Sequence, residues 1–263
     1  MTVRSIGESS AVNLKAYTSS LILASSLSHG ASVINWVTTN GDAGFVPGTE
    51  ATNSPVTTDA NAETIVGSFP EVTLSEGEIL VLTGSINITG NTGTINGNQI
   101  RWGMFDAPGT PATGVGSGYV GVWATTANTG AGTIRTADGS TTNPFSGSAS
   151  TVVATENGTG SMTYGTEYDF VLSITRFDVT QISVSGSLTD AGGASINSWG
   201  ETLSPASPAN FTYDSVAILI GGTTAASQAA FSNVDVSLVP EPSSLLLTFA
   251  GLAPLLVRRR PNR

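Results

Sequence analysis

Apolar residues fall at every second position through several stretches of this chain, the period of a half-buried β-strand. The clearest pair runs from Glu167 to Asp178 and from Thr180 to Thr189. Tyr168, Phe170, Leu172 and Ile174 alternate on the first, and Ile182, Val184 and Leu188 on the second. Together they predict a hairpin with one face in a core. Glu78 to Thr89 places Leu80, Leu82, Ile86 and Ile88 on one face, and Gln99 to Asp106 does the same with Ile100, Trp102 and Met104. Shorter strands are predicted over Ser32 to Thr39, Thr64 to Phe69, Tyr119 to Thr126, Ala149 to Thr155, Phe211 to Ile220 and Phe231 to Leu238. Between them lie stretches rich in Gly, Pro, Asn and Ser: Asn40 to Asn61, Gly90 to Asn98, Ala107 to Gly118, Ala191 to Gly193 and Ser204 to Pro208. These are turn and loop chemistry. With no amphipathic helix and no repeat of fixed period, the expected body is all-β: an antiparallel β-sandwich of the jelly-roll kind.

Both ends break this pattern. Residues 1–31 read as a secretory signal segment, with Arg4 and Lys15 as the charges and Ala16 to Leu27 as the apolar run. Ser28-His29-Gly30 supplies small residues for cleavage after Gly30. At the other end, Val239-Pro240-Glu241-Pro242 can be neither helix interior nor central strand, because its prolines fix φ and remove two donors. An uncharged run from Leu245 to Val257 follows, closed by Arg258, Arg259 and Arg260. At ~1.5 Å per residue a helix over this run reaches about 20 Å, short of a ~30 Å hydrocarbon core. The expectation is a short C-terminal transmembrane helix that anchors weakly, its arginines on the cytoplasmic side. The domain division is then 1–31 signal, 32–238 sandwich and 239–263 sorting tail.

Pro-Glu-Pro, a short hydrophobic helix and a closing Arg cluster, in that order, resemble the PEP-CTERM sorting signal. The resemblance implies an exosortase as partner, with Val239, Pro240, Glu241, Pro242 and Arg258 to Arg260 as the sorting motif. It further implies a transient inner-membrane anchor, cleavage, and delivery to the envelope or an exopolysaccharide biofilm matrix. The body carries a second resemblance. The runs Tyr168-x-Phe-x-Leu-x-Ile-x-Arg176, Ile182-x-Val-x-Gly-x-Leu188 and Phe231-Ser-Asn-Val-Asp-Val-Ser237 look like the second half of concanavalin A-like or laminin-G-like jelly rolls. That implies carbohydrate or matrix binding, or a glycosidase ancestor.

Charge narrows the partners. The 263-residue chain has formal net charge −10. From Ser32 to Val239 only Arg101, Arg135 and Arg176 are cationic, against 17 acids, a net of −14. Such a body repels nucleic acid. There is no cysteine, and the single histidine, His29, falls in the presumed signal. No catalytic residue is expected: a Ser-His-Asp triad, a Cys-His pair, a Lys Schiff base and a His-ligated zinc all lack a member. Paired carboxylates remain, and Glu167 with Asp169 is the nearest approach, without the third acid that concanavalin-like glycosidases carry. Asp42, Asp138 and Asp190 sit in loops that would suit Ca²⁺, but none forms an EF-hand, so no metal site and no cofactor is assigned. Asn87, Asn157 and Asn210 open Asn-x-Ser/Thr triplets that carry no role here. Trp102, Tyr119, Trp123 and Trp199 are the candidate glycan-binding platform, the alternative being that they belong to the core, as aromatic residues in a sandwich more often do. Arg101 and Arg176 are expected to pair with acids on neighbouring strands, or to capture sulfate or uronate.

The expectation is an exported, non-enzymatic sandwich with a structural or adhesive role in the matrix. The alternative is a carbohydrate-binding, lectin-like module, and behind it a carboxylate glycosidase.

Overall fold

The computed structural model describes residues 29–38, 56–58, 63–90, 93–95, 98–107, 116–124, 131–138, 145, 150–157, 160–203, 211–222 and 228–240. All of them belong to one compact unit, His29–Glu241. The expected apolar run of the signal, and the sorting tail from Glu241 onward, lie outside the described residues.

Among the described residues fourteen strands, numbered in chain order, form two antiparallel seven-stranded sheets. Sheet A runs in space β1 (His29–Ser32), β14 (Gln228–Val239), β5 (Ile79–Thr89), β10 (Glu167–Arg176), β11 (Ile182–Asp190), β12 (Ser195–Leu203), with β3 (Val56–Thr58) also on β14. Sheet B runs β2 (Ile34–Thr38), β4 (Glu63–Thr73), β13 (Thr212–Gly222), β6 (Asn98–Asp106), β7 (Ser117–Ala124), β8 (Ala131–Asp138), β9 (Ser150–Asn157). The expected all-β sandwich is what forms. Among the described residues there is no helix, and so none long and apolar enough to cross a membrane.

The alternation seen in the sequence becomes the main core. Leu80, Leu82, Ile86 and Ile88 of β5 pack with Phe170, Leu172 and Ile174 of β10 and with Ile182, Val184 and Leu188 of β11. Ile100, Trp102 and Met104 of β6 face them from sheet B. Each such side chain, removed from water, contributes about 1.5–3 kcal/mol. Two aromatic rings cross glycines in this layer. Phe170 lies opposite Gly84, where a Cβ would come within 2.5 Å of its ring. Trp199 of β12 covers Gly186 beside it and reaches across to Gly121 and Gly132 of sheet B.

Three departures from the expected elements are informative. β3 lies inside the stretch expected to be a long loop, and β8 and β12 were not expected at all. The first sheet residue among the described residues is His29, paired with Leu238. It stands before the expected domain boundary at residue 32, and cleavage after Gly30 would remove half of β1. The first strand is split between layers: β1 pairs with β14, and β2 pairs with β4 after a bulge with Asn35 at φ 53°. Asn tolerates that left-handed conformation better than most residues.

Candidate functional site

The four aromatic residues expected to meet a glycan are in the core. Trp102, Tyr119 and Trp123 are 0% exposed and Trp199 is 4% exposed. Strand register is the reason. Met104 pairs with Tyr119, Trp102 with Gly121 and Ile100 with Trp123, so Trp102, Tyr119 and Trp123 share the inner face of sheet B with Ile100 and Met104, while Trp199 enters the same core from sheet A. Trp102 Nε1 donates to the Val171 carbonyl at 3.2 Å, and its ring tilts against Phe170 and Trp199 with centroids 5.4 and 5.5 Å away. These rings present no face to a ligand. The sites that remain are the two outer faces.

The outer face of sheet A is a field of hydroxyls. The registers line up Ser232, Ser85, Asp169, Thr189 and Ser195 in one row across five strands. The next row holds Asp235, Thr83, Val171, Ser187 and Ser198, the third Ser237, Val81, Ser173, Ser185 and Gly200, and the fourth Val239, Ile79, Thr175, Ser183 and Thr202. Apart from Ser85, every one of these residues is partly or fully exposed. The rows stand about 6.7 Å apart along the strands and about 4.8 Å apart between them. They contain two carboxylates and neither a cation nor an aromatic ring. Ser85 Oγ donates to Asp169 Oδ1 at 2.7 Å, and Glu167, opposite Asn87, extends the acidic end. Glu167 and Asp169 therefore do share a face, but it is an open sheet surface. The alternation Ser183-x-Ser185-x-Ser187 was the available signal for this face.

The outer face of sheet B is different. Its floor is apolar: Val66, Ala217, Leu219, Phe105, Val120, Val122 and Ala137 form a second buried cluster, closed by Phe145. Phe105 and Phe145 meet edge to face with centroids 6.1 Å apart. Two of the three body cations rise from this floor. Arg101 stands opposite Val122, and Arg135 opposite Val120, so the pair flanks β7 on the same side. Arg101 donates to the Phe145 carbonyl at 2.5 Å. Burial, and then the charge of Arg135, hold the Arg101 guanidinium below its ordinary pKa. Thr133, two residues before Arg135, has a buried hydroxyl with no hydrogen-bond partner. Thr133 did not stand out in the sequence, and Arg135 stood out only as one of the three body cations, because β8 did not.

Arg176 is not in this group. Its Nε donates to the Asp178 carbonyl at 3.2 Å, its NH1 donates to the Leu74 carbonyl at 2.6 Å, and its guanidinium stacks 4.0 Å above the Phe211 ring. The expected pairing with a carboxylate on an adjacent strand gives way to main-chain carbonyls and a ring.

The acids have local work. At one end of sheet B, burial, then Asp214 and Glu71, push the Asp106 carboxyl above its ordinary value. Asp214 accepts from the Ala107 amide at 2.9 Å and from Ser215 Oγ at 2.8 Å. Asp190 Oδ1 accepts the Gly192 and Ala194 amides, closing the β11–β12 turn rather than facing a cation. Among the described residues no group of three or more His, Asp or Glu is arranged to hold a metal ion. Asp42 lies outside the described residues. Of the sorting motif, Val239 ends β14 and Pro240 is exposed, while Glu241, Pro242 and the arginines lie outside the described residues.

No family model and no curated protein matches the chain. Among solved structures, basic winged bean lectin with Tn-antigen is 8% identical with a TM-score of 0.49, the match covering 82% of this chain and 99% of that one. Lectin II from Ulex europaeus is 10% identical with a TM-score of 0.47, covering 82% and 98%. The carbohydrate recognition domain of Emp46p, in its metal-free form, is 11% identical with a TM-score of 0.45, covering 78% and 87%. At these identities and scores the likeness stops at the sandwich and assigns no ligand to this chain.

Proposed function

We propose that this chain is a non-catalytic carbohydrate-binding sandwich, exported to the cell exterior, that holds extended polysaccharide along the outer face of sheet A. The observation supporting the reading is the hydroxyl field. Every Ser and Thr in it both donates and accepts, as sugar hydroxyls do. Each such hydrogen bond nets only about 0.5–1.5 kcal/mol against water. Many must form together, so the ligand is a polymer lying over several rows rather than one sugar in a pocket. The absence of cysteine and lysine from the body, and the lone histidine, support a binding rather than a catalytic role. Export rests on the Pro240-Glu241-Pro242 tail and its resemblance to exosortase substrates.

Retention on immobilised exopolysaccharide tests the reading. Ser173→Arg and Ser185→Arg place bulk in the middle of the third row, where both residues are at least partly exposed. They are expected to abolish retention with unchanged thermal stability. Retention equal to wild type would overturn the reading. A second reading, a structural matrix component, draws on the small side chains of the same face, which let two copies stack. Concentration-dependent sedimentation, lost in the same variants without any glycan present, would favour it. For export, mass spectrometry of the secreted form should lack the peptide beyond the Pro-Glu-Pro motif, and an intact tail would contradict processing.

A further inference from the structure

At the end of sheet A where β14 finishes, we infer that the turn between β10 and β11 is a membrane-contact tip. Its Phe177 and Val179 enter the headgroup boundary of the bilayer that the C-terminal tail enters. The inference rests on the export reading of that tail and not on the polysaccharide reading.

Among the described residues three large apolar side chains are strongly exposed, and two of them share this turn: Phe177 at 52% and Val179 at 66%. One exposed apolar side chain is ordinary, but two on one tip form an uncovered patch. The turn is built to hold them out. Asp178 stands between them, and its Oδ1 accepts from the Thr180 amide and hydroxyl and from the Gln181 amide, so its carboxylate is drawn back into the turn. The Phe177 amide donates to the Gln181 carbonyl at 3.0 Å. Arg176 below is tied to the β4–β5 turn, accepting from the Gly77 amide at 2.7 Å and donating its own amide to the Glu78 carbonyl at 3.1 Å. Its guanidinium rests on the Leu74 carbonyl and the Phe211 ring. None of these contacts uses the Phe177 or Val179 side chain.

The place of the turn says what covers it. Val239, Ile79 and Thr175 stand in one row across β14, β5 and β10. The chain therefore leaves sheet A at the same end as the tip and two strands away, about 10 Å. Pro240 is exposed there, and the uncharged run begins five residues later at Leu245. Five residues reach at most about 18 Å. A bilayer that takes up Leu245 to Val257 lies within that reach of the row, and Phe177 and Val179 extend beyond the row along the strand direction. The apolar run is too short to span a hydrocarbon core of ~30 Å, so a second foothold adds to a weak anchor. Once the tail is inserted, the tip meets the same membrane at high effective concentration, and two side chains suffice. Charge selects the surface. Glu76, Glu78 and Asp178 belong to this end, against the single guanidinium of Arg176, so the match is a bilayer of net-neutral headgroups. The contact keeps Pro240-Glu241-Pro242 at the membrane–water boundary, within reach of a membrane-embedded processing partner.

The test uses the full chain and vesicles of zwitterionic phosphatidylcholine. Trp36, Trp102, Trp123 and Trp199 are buried, so an indole introduced at the tip is read against a quiet background. Vesicle flotation reports the tail, and the emission of Phe177→Trp reports the tip. Flotation with a blue-shifted emission, quenched by lipid brominated in its acyl chains, is expected. Ala191→Trp, on the exposed turn at the opposite end of β11, should float with its indole in water. Phe177→Ser combined with Val179→Ser should lower the partition coefficient about tenfold with unchanged thermal stability. Flotation with the indole at position 177 still in water, or an unchanged partition coefficient in the double variant, would overturn the tip and leave the anchor standing. Absence of flotation would overturn the anchor, and the tip with it. Equal quenching at positions 177 and 191 would mean unspecific adsorption and would overturn the tip. A blue shift that grows with protein concentration without vesicles would put a second copy in place of the membrane and overturn the inference.

Discussion

Trp199 of sheet A occupies the space that a side chain at Gly132 of sheet B would need, with a Cβ there falling 2.6 Å from the indole. Gly121 and Gly186 clear the rest of the same slot, at 3.2 and 2.9 Å. One large ring on an edge strand is thus accommodated by glycines on three other strands.

Gly132→Val is therefore expected to destabilise the fold by about 1–3 kcal/mol, the usual cost of overpacking a filled core. Gly200→Ala, on the same strand as Trp199 but with only ordinary contact at 3.5 Å, should stay within about 0.5 kcal/mol. Urea unfolding of the two variants checks the contrast. Equal effects would mean that the slot is not tight.

Trp36, Trp102, Trp123 and Trp199 are all buried, so tryptophan emission should be blue-shifted and poorly quenched by acrylamide. Polysaccharide should leave it unchanged. Trp102→Ala should cost about 3–5 kcal/mol as a core truncation. An emission shift on glycan binding would put an indole back at the ligand.

Two acids, Asp106 and Asp178, predict opposite responses to pH. Asp106 is raised by burial and by its acidic neighbours, so the folded state holds its proton more tightly than the unfolded state does. Its ionisation costs stability as pH rises from about 4, the unfolded value, through the raised folded value, and the cost stays in place at neutral pH. Asp106→Asn should stabilise the protein at pH 7 by under about 1 kcal/mol, because the group is partly exposed, with no gain at pH 3.

Asp178 behaves in reverse. The Thr180 amide and hydroxyl, and the Gln181 amide, donate to its carboxylate and hold its pKa low. The resulting stability is present above about pH 4 and is lost as pH falls through the lowered folded value. Asp178→Asn should loosen the β10–β11 turn at pH 7 and leave it unchanged at low pH, read by hydrogen exchange at Thr180 and Gln181.

Much of this architecture was legible beforehand. β5, β10 and β11 alternate cleanly because both of their neighbours in the sheet are close and their inner faces carry their own aliphatic residues. β8 escaped notice because its inner face starts with Gly132, and the bulk that fills that space is Trp199, supplied from another strand. β12 escaped because Asn197 and Trp199 are its only buried residues. Of the two readings open for the aromatic residues, the core is the one the structure takes, and its signal was present. Trp102 sits between Ile100 and Met104 on one alternation, and a face with two aliphatic members belongs to the core. The outer faces were legible only in fragments, such as the alternation Ser183-x-Ser185-x-Ser187. Arg101, Arg135 and Thr133 come together only through the pairing of β6, β7 and β8, and the hydroxyl rows only through β14, β5, β10, β11 and β12.

The placement of β13 and β14 carries a consequence for how the chain is made. They are the last two of the described strands in chain order, yet each is an interior member of its layer: β13 lies between β4 and β6, and β14 between β1 and β5. Until both have been synthesised, sheet B is two fragments, and sheet A lacks the strand on which β1, β3 and β5 all pair. The sandwich therefore cannot close until these strands have been made. It closes only when its final strands slide into the two seams.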